Sequence, residues 1–236
     1  MQFAVVKCVV CDTIDTKASI MEIYMNKVYF FDMDGTLVDS MSRGWNDVIL
    51  KYLNDRNIKY QESIIVDLVT LGFMGISKFF VENLGVDKTP QELYDYFMVA
   101  LEPLYQNEYP AKDGAIEFIK KLKEDGCSVN VISGSPMRFV MPCLERLGLT
   151  EMLDNVFSLE EFNLTKSDKE LFLTLAKRMN ASPEDCVVVD DSINALKTAK
   201  SAGLYTIGIY EEAVKNSWND VCAVADKSIK TFFELI

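Results

Sequence analysis

Phe30-Phe31-Asp32-Met33-Asp34-Gly35-Thr36-Leu37-Val38-Asp39-Ser40 decides how the rest of the chain is read. The apolar run Val28 to Phe31 predicts a buried strand, and it ends in two carboxylates spaced i and i+2, followed by Gly-Thr. Side chains alternate along an extended backbone, so Asp32 and Asp34 are expected on the same side of the strand end. Two acids that close repel each other unless a cation sits between them or one keeps its proton. Spacing alone leaves both outcomes open: a metal site, or a nucleophile beside a proton donor.

Downstream, short apolar runs alternate with helical patterns. Strands are expected at Val28–Phe31, Cys127–Ile132, Val156–Ser158, Cys186–Val189 and Tyr205–Ile209, with a weaker one at Cys222–Ala225. Phe172, Leu175, Ala176 and Met179 recur at helical spacing, as do Phe139, Val140, Cys143, Leu144 and Leu147. Gly126, Gly148 and Gly203 sit where helices should stop. This alternation predicts an α/β fold, a Rossmann-like three-layer core with a parallel sheet covered on both faces, whose ligands bind beyond the carboxyl ends of the strands. Residues 41–109 break the pattern. They read as helices at roughly 41–56, 61–70, 75–84 and 90–106, an inserted all-α cap between core segments 27–40 and 110–236. Both ends of the insert belong at the rim where the acids lie, so the cap is expected to sit over them. Residues 1–26 fit poorly with this scheme. They read as an N-terminal extension or the product of an upstream start ahead of Met21 or Met25, with an edge strand over Phe3 to Val10 as the alternative.

Composition narrows the chemistry. With 236 residues and 49% hydrophobic content the chain can bury a sizeable core. Its net charge of −12 argues against a nucleic-acid surface, while a small phosphorylated metabolite remains compatible. There is no His, which removes Ser-His-Asp and Cys-His triads and leaves acid–base work to carboxylates, Lys, Tyr or Cys. The six cysteines are scattered and read as buried thiols of a reducing cytoplasm; Cys8-Val9-Val10-Cys11 is a lone CxxC without a second pair. No apolar stretch reaches the ~18 residues of a membrane span.

Three further motifs belong to the same rim, two at expected strand ends and one in a loop before a helix. In Val129-Asn130-Val131-Ile132-Ser133-Gly134-Ser135-Pro136 the strand ends at Ser133, with Ser135 as an expected helix N-cap and Pro136 at the first helical position. A Ser beside a Gly turn and a helix start suits an anion. Lys166, in Thr165-Lys166-Ser167-Asp168-Lys169-Glu170-Leu171-Phe172, could neutralise a phosphoryl oxygen if it faces the acids. Cys186-Val187-Val188-Val189-Asp190-Asp191-Ser192 is a second strand ending in paired acids, with Ser192 as the expected cap of the next helix. Together with the first pair it makes an oxygen-rich site suited to Mg²⁺ shared with a substrate phosphate.

Asp32-Met33-Asp34-Gly35-Thr36-Leu37-Val38-Asp39-Ser40 resembles the first motif of the haloacid dehalogenase (HAD) superfamily almost letter for letter. Ser133, Lys166 and Asp190-Asp191 follow in the order of its other three motifs, and the resemblance covers residues ~27–236. It implies a phosphatase of the branch with a small helical cap, similar to phosphoglycolate phosphatase and β-phosphoglucomutase. Asp32 would attack phosphorus to form an aspartyl-phosphate. Asp34 would protonate the leaving oxygen and then deprotonate the hydrolytic water, while its main-chain carbonyl joins the side chains of Asp32 and Asp191 around Mg²⁺, with Asp190 either a further ligand or a partner that holds the ligands. Ser133, Gly134 and Lys166 would bind the phosphoryl group, and Thr36 would position Asp34. Lys169 competes with Lys166 for the third motif. Lys166 is preferred because the run from Lys166 to Phe172 overlays the family's Lys-Pro-x-Pro-Asp/Glu-x-Phe pattern, with both prolines replaced.

Asp34 favours phosphoryl transfer over dehalogenation, which needs no acid there. The mutase branch places a His shortly after the first motif, where this chain has Gly44, so hydrolysis of a small phosphate monoester is preferred to sugar-phosphate mutation. A non-catalytic phosphate-binding module would be expected to lose Asp32 or Asp34. Within the cap, Thr70 to Lys78 reads as a Gly-bracketed loop that dips into the site. Arg43, Trp45 and Lys78 are candidates to touch the leaving group, Arg138 to reach the site, and Asp39 to orient the first loop. A monomer or a homodimer is compatible with the sequence.

Overall fold

The computed structural model describes residues 27–61, 68 and 71–236. The expected extension 1–26, with its edge strand and CxxC, and nearly all of the expected helix 61–70 lie outside the described residues, as does the side chain of Trp45.

Six parallel strands form one sheet in the order β3-β2-β1-β4-β5-β6. They are β1 (Val28–Phe31), β2 (Ser128–Ser133), β3 (Asn155–Ser158), β4 (Cys186–Asp190), β5 (Tyr205–Ile209) and β6 (Lys227–Ile229). Phe31 is in register with Val131 on one side and Val189 on the other, so the ends of β1, β2 and β4 lie together. The alternation along β1 explains why this run must be central. Tyr29 and Phe31 pack with Phe118 and Phe232 on one face, while Phe30 packs with Val188, Leu171 and Phe172 on the other. All are fully buried, and each large side chain taken from water stabilises the fold by about 1.5–3 kcal/mol. Gly126, Gly148 and Gly203 end their helices with φ of 76°, 69° and 93°, as expected.

Two local expectations are corrected. Cys222–Ala225 is not a strand: Trp218–Val224 is a helix, and the edge strand is β6. Val221 is the buried residue of that helix, and it occupies the space that a Cβ at Gly208 would need, 2.5 Å away. Cys222, on the outer side, is exposed, whereas Cys127, Cys143 and Cys186 are buried free thiols. Burial pushes the Cys143 thiol up to about 11 and Cys186 to about 12, which leaves both protonated and unreactive.

Between β1 and β2 stands a helical insert. Its first segment runs through Met41–Gly44, a wider π turn at Trp45–Leu50, and Lys51–Asp55. The stretch read as a Gly-bracketed loop is instead the start of a helix, Gly72–Leu84, with Gly72 at φ 64° at its first position. The long helix Pro90–Asn107 begins with a Thr89/Glu92 capping box and buries Leu93, Phe97, Leu101 and Tyr105. The insert enters and leaves through one neck. Asp39 N–H donates to the Pro110 carbonyl and Lys112 N–H to the Leu37 carbonyl, each at 2.9 Å.

At the base of that neck Lys112 Nζ donates to Glu211 Oε2 at 2.8 Å and to the Tyr210 carbonyl at 3.0 Å. The Glu211 side chain is wholly buried. Removing the ammonium would strand a buried carboxylate, which costs about 3–5 kcal/mol. Lys112→Met is therefore expected to lower the urea unfolding free energy by that amount. A loss below about 1 kcal/mol would mean that Glu211 finds solvent.

Candidate active site

Asp32 leaves the end of β1, and its N–H still donates to the Val189 carbonyl at 2.9 Å, which ties the first motif to β4. The chain then turns tightly: Met33 C=O accepts from Leu37 N–H (3.0 Å) and Val38 N–H (2.9 Å). Gly35 takes φ 80°, and a Cβ there would lie 2.9 Å from Asp191 Oδ2. Glycine at this position is thus required twice, by the backbone and by the close approach of the fourth motif.

One carboxylate oxygen from each of Asp32, Asp190 and Asp191 lies within 4.8 Å of the others. All three residues are buried. Lys166 Nζ donates to Asp32 Oδ1 and, at 2.7 Å, to Asp190 Oδ2. Asp190 Oδ1 also accepts from Ser192 N–H at 2.8 Å. Ser192 does occupy the N-cap position of Ile193–Ser201, but its hydroxyl makes no cap bond. Burial is the largest influence on Asp32. With repulsion from Asp190 and Asp34 it outweighs Lys166 and pushes the carboxyl up to about 7. Burial and then the neighbouring carboxylates Asp190 and Asp32 hold Asp191 well above the usual carboxylate range. Burial opposes the Lys166 ammonium, but Asp190 and Asp32 prevail and keep it above the ordinary lysine range. Three acids against one ammonium leave two negative charges uncompensated when all are ionised. That donor set, all hard oxygens with a glycine cradle behind Asp191, fits a divalent cation such as Mg²⁺.

Asp34 has a different environment. Oδ1 accepts from Ser40 Oγ and from Tyr105 OH, both at 2.6 Å, and Oδ2 accepts from Ser135 Oγ at 2.7 Å. Burial, and then Asp34, push the Tyr105 phenol well above the usual tyrosine range, so it stays a donor. Its ring stacks on Phe139 with centroids 5.1 Å apart, and Arg146 donates to the carbonyls of Tyr105 (3.3 Å) and Tyr109. The long helix of the insert thus reaches the first motif through one phenol.

The other expected residues divide clearly. Gly134 and Lys166 line the cavity with Asp32, Asp34, Asp190 and Asp191. Ser133 is fully buried, and its Oγ accepts from Ser135 N–H at 3.0 Å. Ser135 is not an N-cap: Pro136 holds that position before Met137–Arg146, because the Ser135 hydroxyl donates to the stronger acceptor, the Asp34 carboxylate. The Thr36 hydroxyl faces Asp191 Oδ1, at 3.4 Å, and not Asp34. Lys169 opens the helix Lys169–Arg178 and is exposed. Arg43 is exposed and faces Glu108 at 3.9 Å; Lys78 and Arg138 are exposed as well, the latter over the Phe139 ring. Asp39 is half-buried beside the neck. Ser40, Ser135 and Tyr105 were not expected as Asp34 partners. Ser40 closes the first motif and Ser135 lies two residues beyond Ser133, so both stood within reach of the motifs. Tyr105 continues the Leu93, Phe97, Leu101 stripe and carries no local sign of its contact.

A parallel sheet with acids from two adjacent strands at its carboxyl edge, faced by a helical insert, defines an α/β protein with a site built on aspartates. The chain belongs to the haloacid dehalogenase-like hydrolases, whose family profile it matches over residues 26–203. Among curated relatives, it is 24% identical over 207 residues to hexitol phosphatase B of Escherichia coli K12, covering 87% of this chain and 92% of that one. It is 23% identical over 188 residues to validoxylamine A 7'-phosphate phosphatase of Streptomyces hygroscopicus subsp. limoneus, covering 78% and 86%. The crystal structure of a predicted phosphoglycolate phosphatase from Haemophilus somnus 129pt shares the fold, with a TM-score of 0.76 at 21% identity over 89% of this chain and 96% of that one. No helix among the described residues is long and apolar enough to cross a membrane.

The raised Asp32 value has a consequence for the metal-free protein. An unfolded Asp titrates near ~3.9. Between about 4 and 7 the native state therefore binds more protons, and the site's contribution to stability falls as pH rises through that window. Metal-free Asp32→Asn is expected to show a flatter midpoint temperature over pH 4–7 than the parent protein. Parallel pH profiles for the two would remove the assignment.

Proposed function

We propose that this chain hydrolyses small phosphate monoesters with Asp32 as nucleophile. The observation that carries the reading is the division of labour among the acids. Asp32 sits with Lys166, Asp190 and Asp191 in an under-neutralised cluster, while Asp34 stands apart in a cage of hydroxyls. Asp32, Asp190, Asp191 and the main-chain carbonyl of Asp34 are the groups that would hold Mg²⁺. When bound, the ion supplies positive charge that keeps Asp32 ionised and offsets the phosphoryl oxygens. Asp190 already accepts from Lys166 and Ser192, which makes Asp32 and Asp191 the freer carboxylates.

The Asp32 carboxylate forms a bond to phosphorus as the ester P–O bond breaks, and Asp34, which enters this step protonated, gives its proton to the departing oxygen and becomes the carboxylate that Ser40, Tyr105 and Ser135 hold. A water then loses a proton to Asp34 and attacks phosphorus, releasing phosphate and restoring Asp32. Lys166 and the Gly134 turn hold the phosphoryl oxygens through the sequence. Gly44 speaks against a mutase, because a Cβ there would fall 2.8 Å from Tyr109 OH, so the wall is already filled where that branch carries its His. Retention of both Asp32 and Asp34 speaks against a purely binding role. A reducing cytoplasm is the compartment that the buried free thiols suit best.

Phosphate release from para-nitrophenyl phosphate should require Mg²⁺ and fall at least ~10³-fold in Asp32→Asn. Equal rates in the two proteins, or no response to chelation, would defeat the mechanism. Tyr105 is a positioning residue for Asp34, and a hydrogen bond to a charged group contributes about 1.5–3 kcal/mol. Tyr105→Phe should therefore lower kcat about tenfold or more while KM moves less than about twofold. A loss confined to KM would place Tyr105 with substrate binding.

A further inference from the structure

The cavity above the acids, about 450 Å³, has two chemically opposed halves. Its floor is the charged cluster already described, edged by Thr165, Ser167, Ser192 and Asn194 of the core loops. Its roof is built by Met41, Ile49, Leu71, Phe73, Ile76 and Leu101, all from the insert. Among the described roof residues the polar side chain is Tyr105, and its hydroxyl is committed to Asp34 at 2.6 Å. The cations of the insert that could greet a second anionic or polyol group do not face inward: Arg43 is exposed toward Glu108, and Lys78 is exposed. Leu71 stands at the mouth, 48% exposed, a large apolar side chain with no core to fill. Gly75 backs it, since a Cβ there would lie 2.7 Å from Leu71 Cβ; the absent side chain lets Leu71 lie against the helix start.

We infer that the alcohol portion of the substrate is apolar: the enzyme takes monophosphates of an alkyl, prenyl-like or aryl alcohol in preference to sugar, polyol or carboxylate-bearing phosphates. This rests on the phosphatase reading of the floor. A polyol body placed under this roof would find partners only on the core side, where Thr165, Ser167, Ser192 and Asn194 line the cavity; each hydroxyl turned toward the insert would be buried without one and disfavoured by roughly 5- to 100-fold. A methylene placed there is favoured by about three- to fourfold. A second carboxylate would meet neither Arg43, exposed toward Glu108, nor Lys78, exposed to solvent.

The test uses the full chain with Mg²⁺ and two readouts. Phosphate release is measured from n-alkyl monophosphates, ethyl to hexyl, beside sorbitol 6-phosphate and phosphoglycolate. Binding of methyl- to hexylphosphonate to the Mg²⁺-loaded Asp32→Asn protein is measured by calorimetry. kcat/KM is expected to rise about three- to fourfold per methylene, with hexyl phosphate exceeding both polar esters by at least ~100-fold, and Phe73→Ser should flatten the series. A flat series, or a polar ester turned over as well as hexyl phosphate, overturns the inference. If no ester is hydrolysed but phosphonate affinity still climbs with chain length, the apolar roof stands and the catalytic reading fails. If affinity is also flat, both fail.

Discussion

Mutual repulsion among three buried carboxylates governs this molecule. Two unit charges about 5 Å apart interact by roughly 3 kcal/mol at an effective dielectric of 20, and Asp32, Asp190 and Asp191 form three such pairs. Lys166 offsets part of this through its two ion pairs. What remains must be borne by the surrounding fold or relieved by a proton or a cation. A site of this kind survives only at the end of a well-packed sheet, and its neighbours here are the fully buried Phe31, Val189 and Met33.

The strand order explains how the charges come together. β1 lies between β2 and β4, so successive parts of the chain leave the sheet to either side of it. Such a reversal opens a crevice at the carboxyl ends of the strands. The first and fourth motifs meet there because Phe31 and Val189 are paired, and the second arrives from β2 through Gly134 and Ser135. Lys166 comes from the loop after β3, the strand beyond β2, and needs a long side chain to arrive.

Most of this was legible from residues. Strand ends marked by acids, and glycines at helix stops, follow from local chemistry, and β1, β4 and β5 begin where the apolar runs begin. The misreadings have physical causes. Cys222, Ala223 and Val224 are apolar enough for a strand, but they continue the helix whose buried Val221 packs at Gly208, distant in sequence. Gly72 and Gly75 look like loop residues, yet one begins a helix and the other makes room for Leu71. Ser135 has the composition of a cap and the geometry of a carboxylate donor. Tyr105 could not be found locally, since its partner is 71 positions away. The exact donor to each oxygen is a property of tertiary contact, and periodicity does not encode it.

The neck joining Leu37 and Asp39 to Pro110 and Lys112 makes the insert interchangeable. Because entry and exit are bonded side by side, the sheet sees only a closed pair of ends, whatever lies between them. Loop closure depends weakly on length, with each doubling adding only about 0.6 kcal/mol. Roof segments of other sizes and linings could therefore be grafted at these two points without disturbing the register of β1 with β2 and β4. The acidic floor and the lining of the roof are then separable features, each open to change without rebuilding the other.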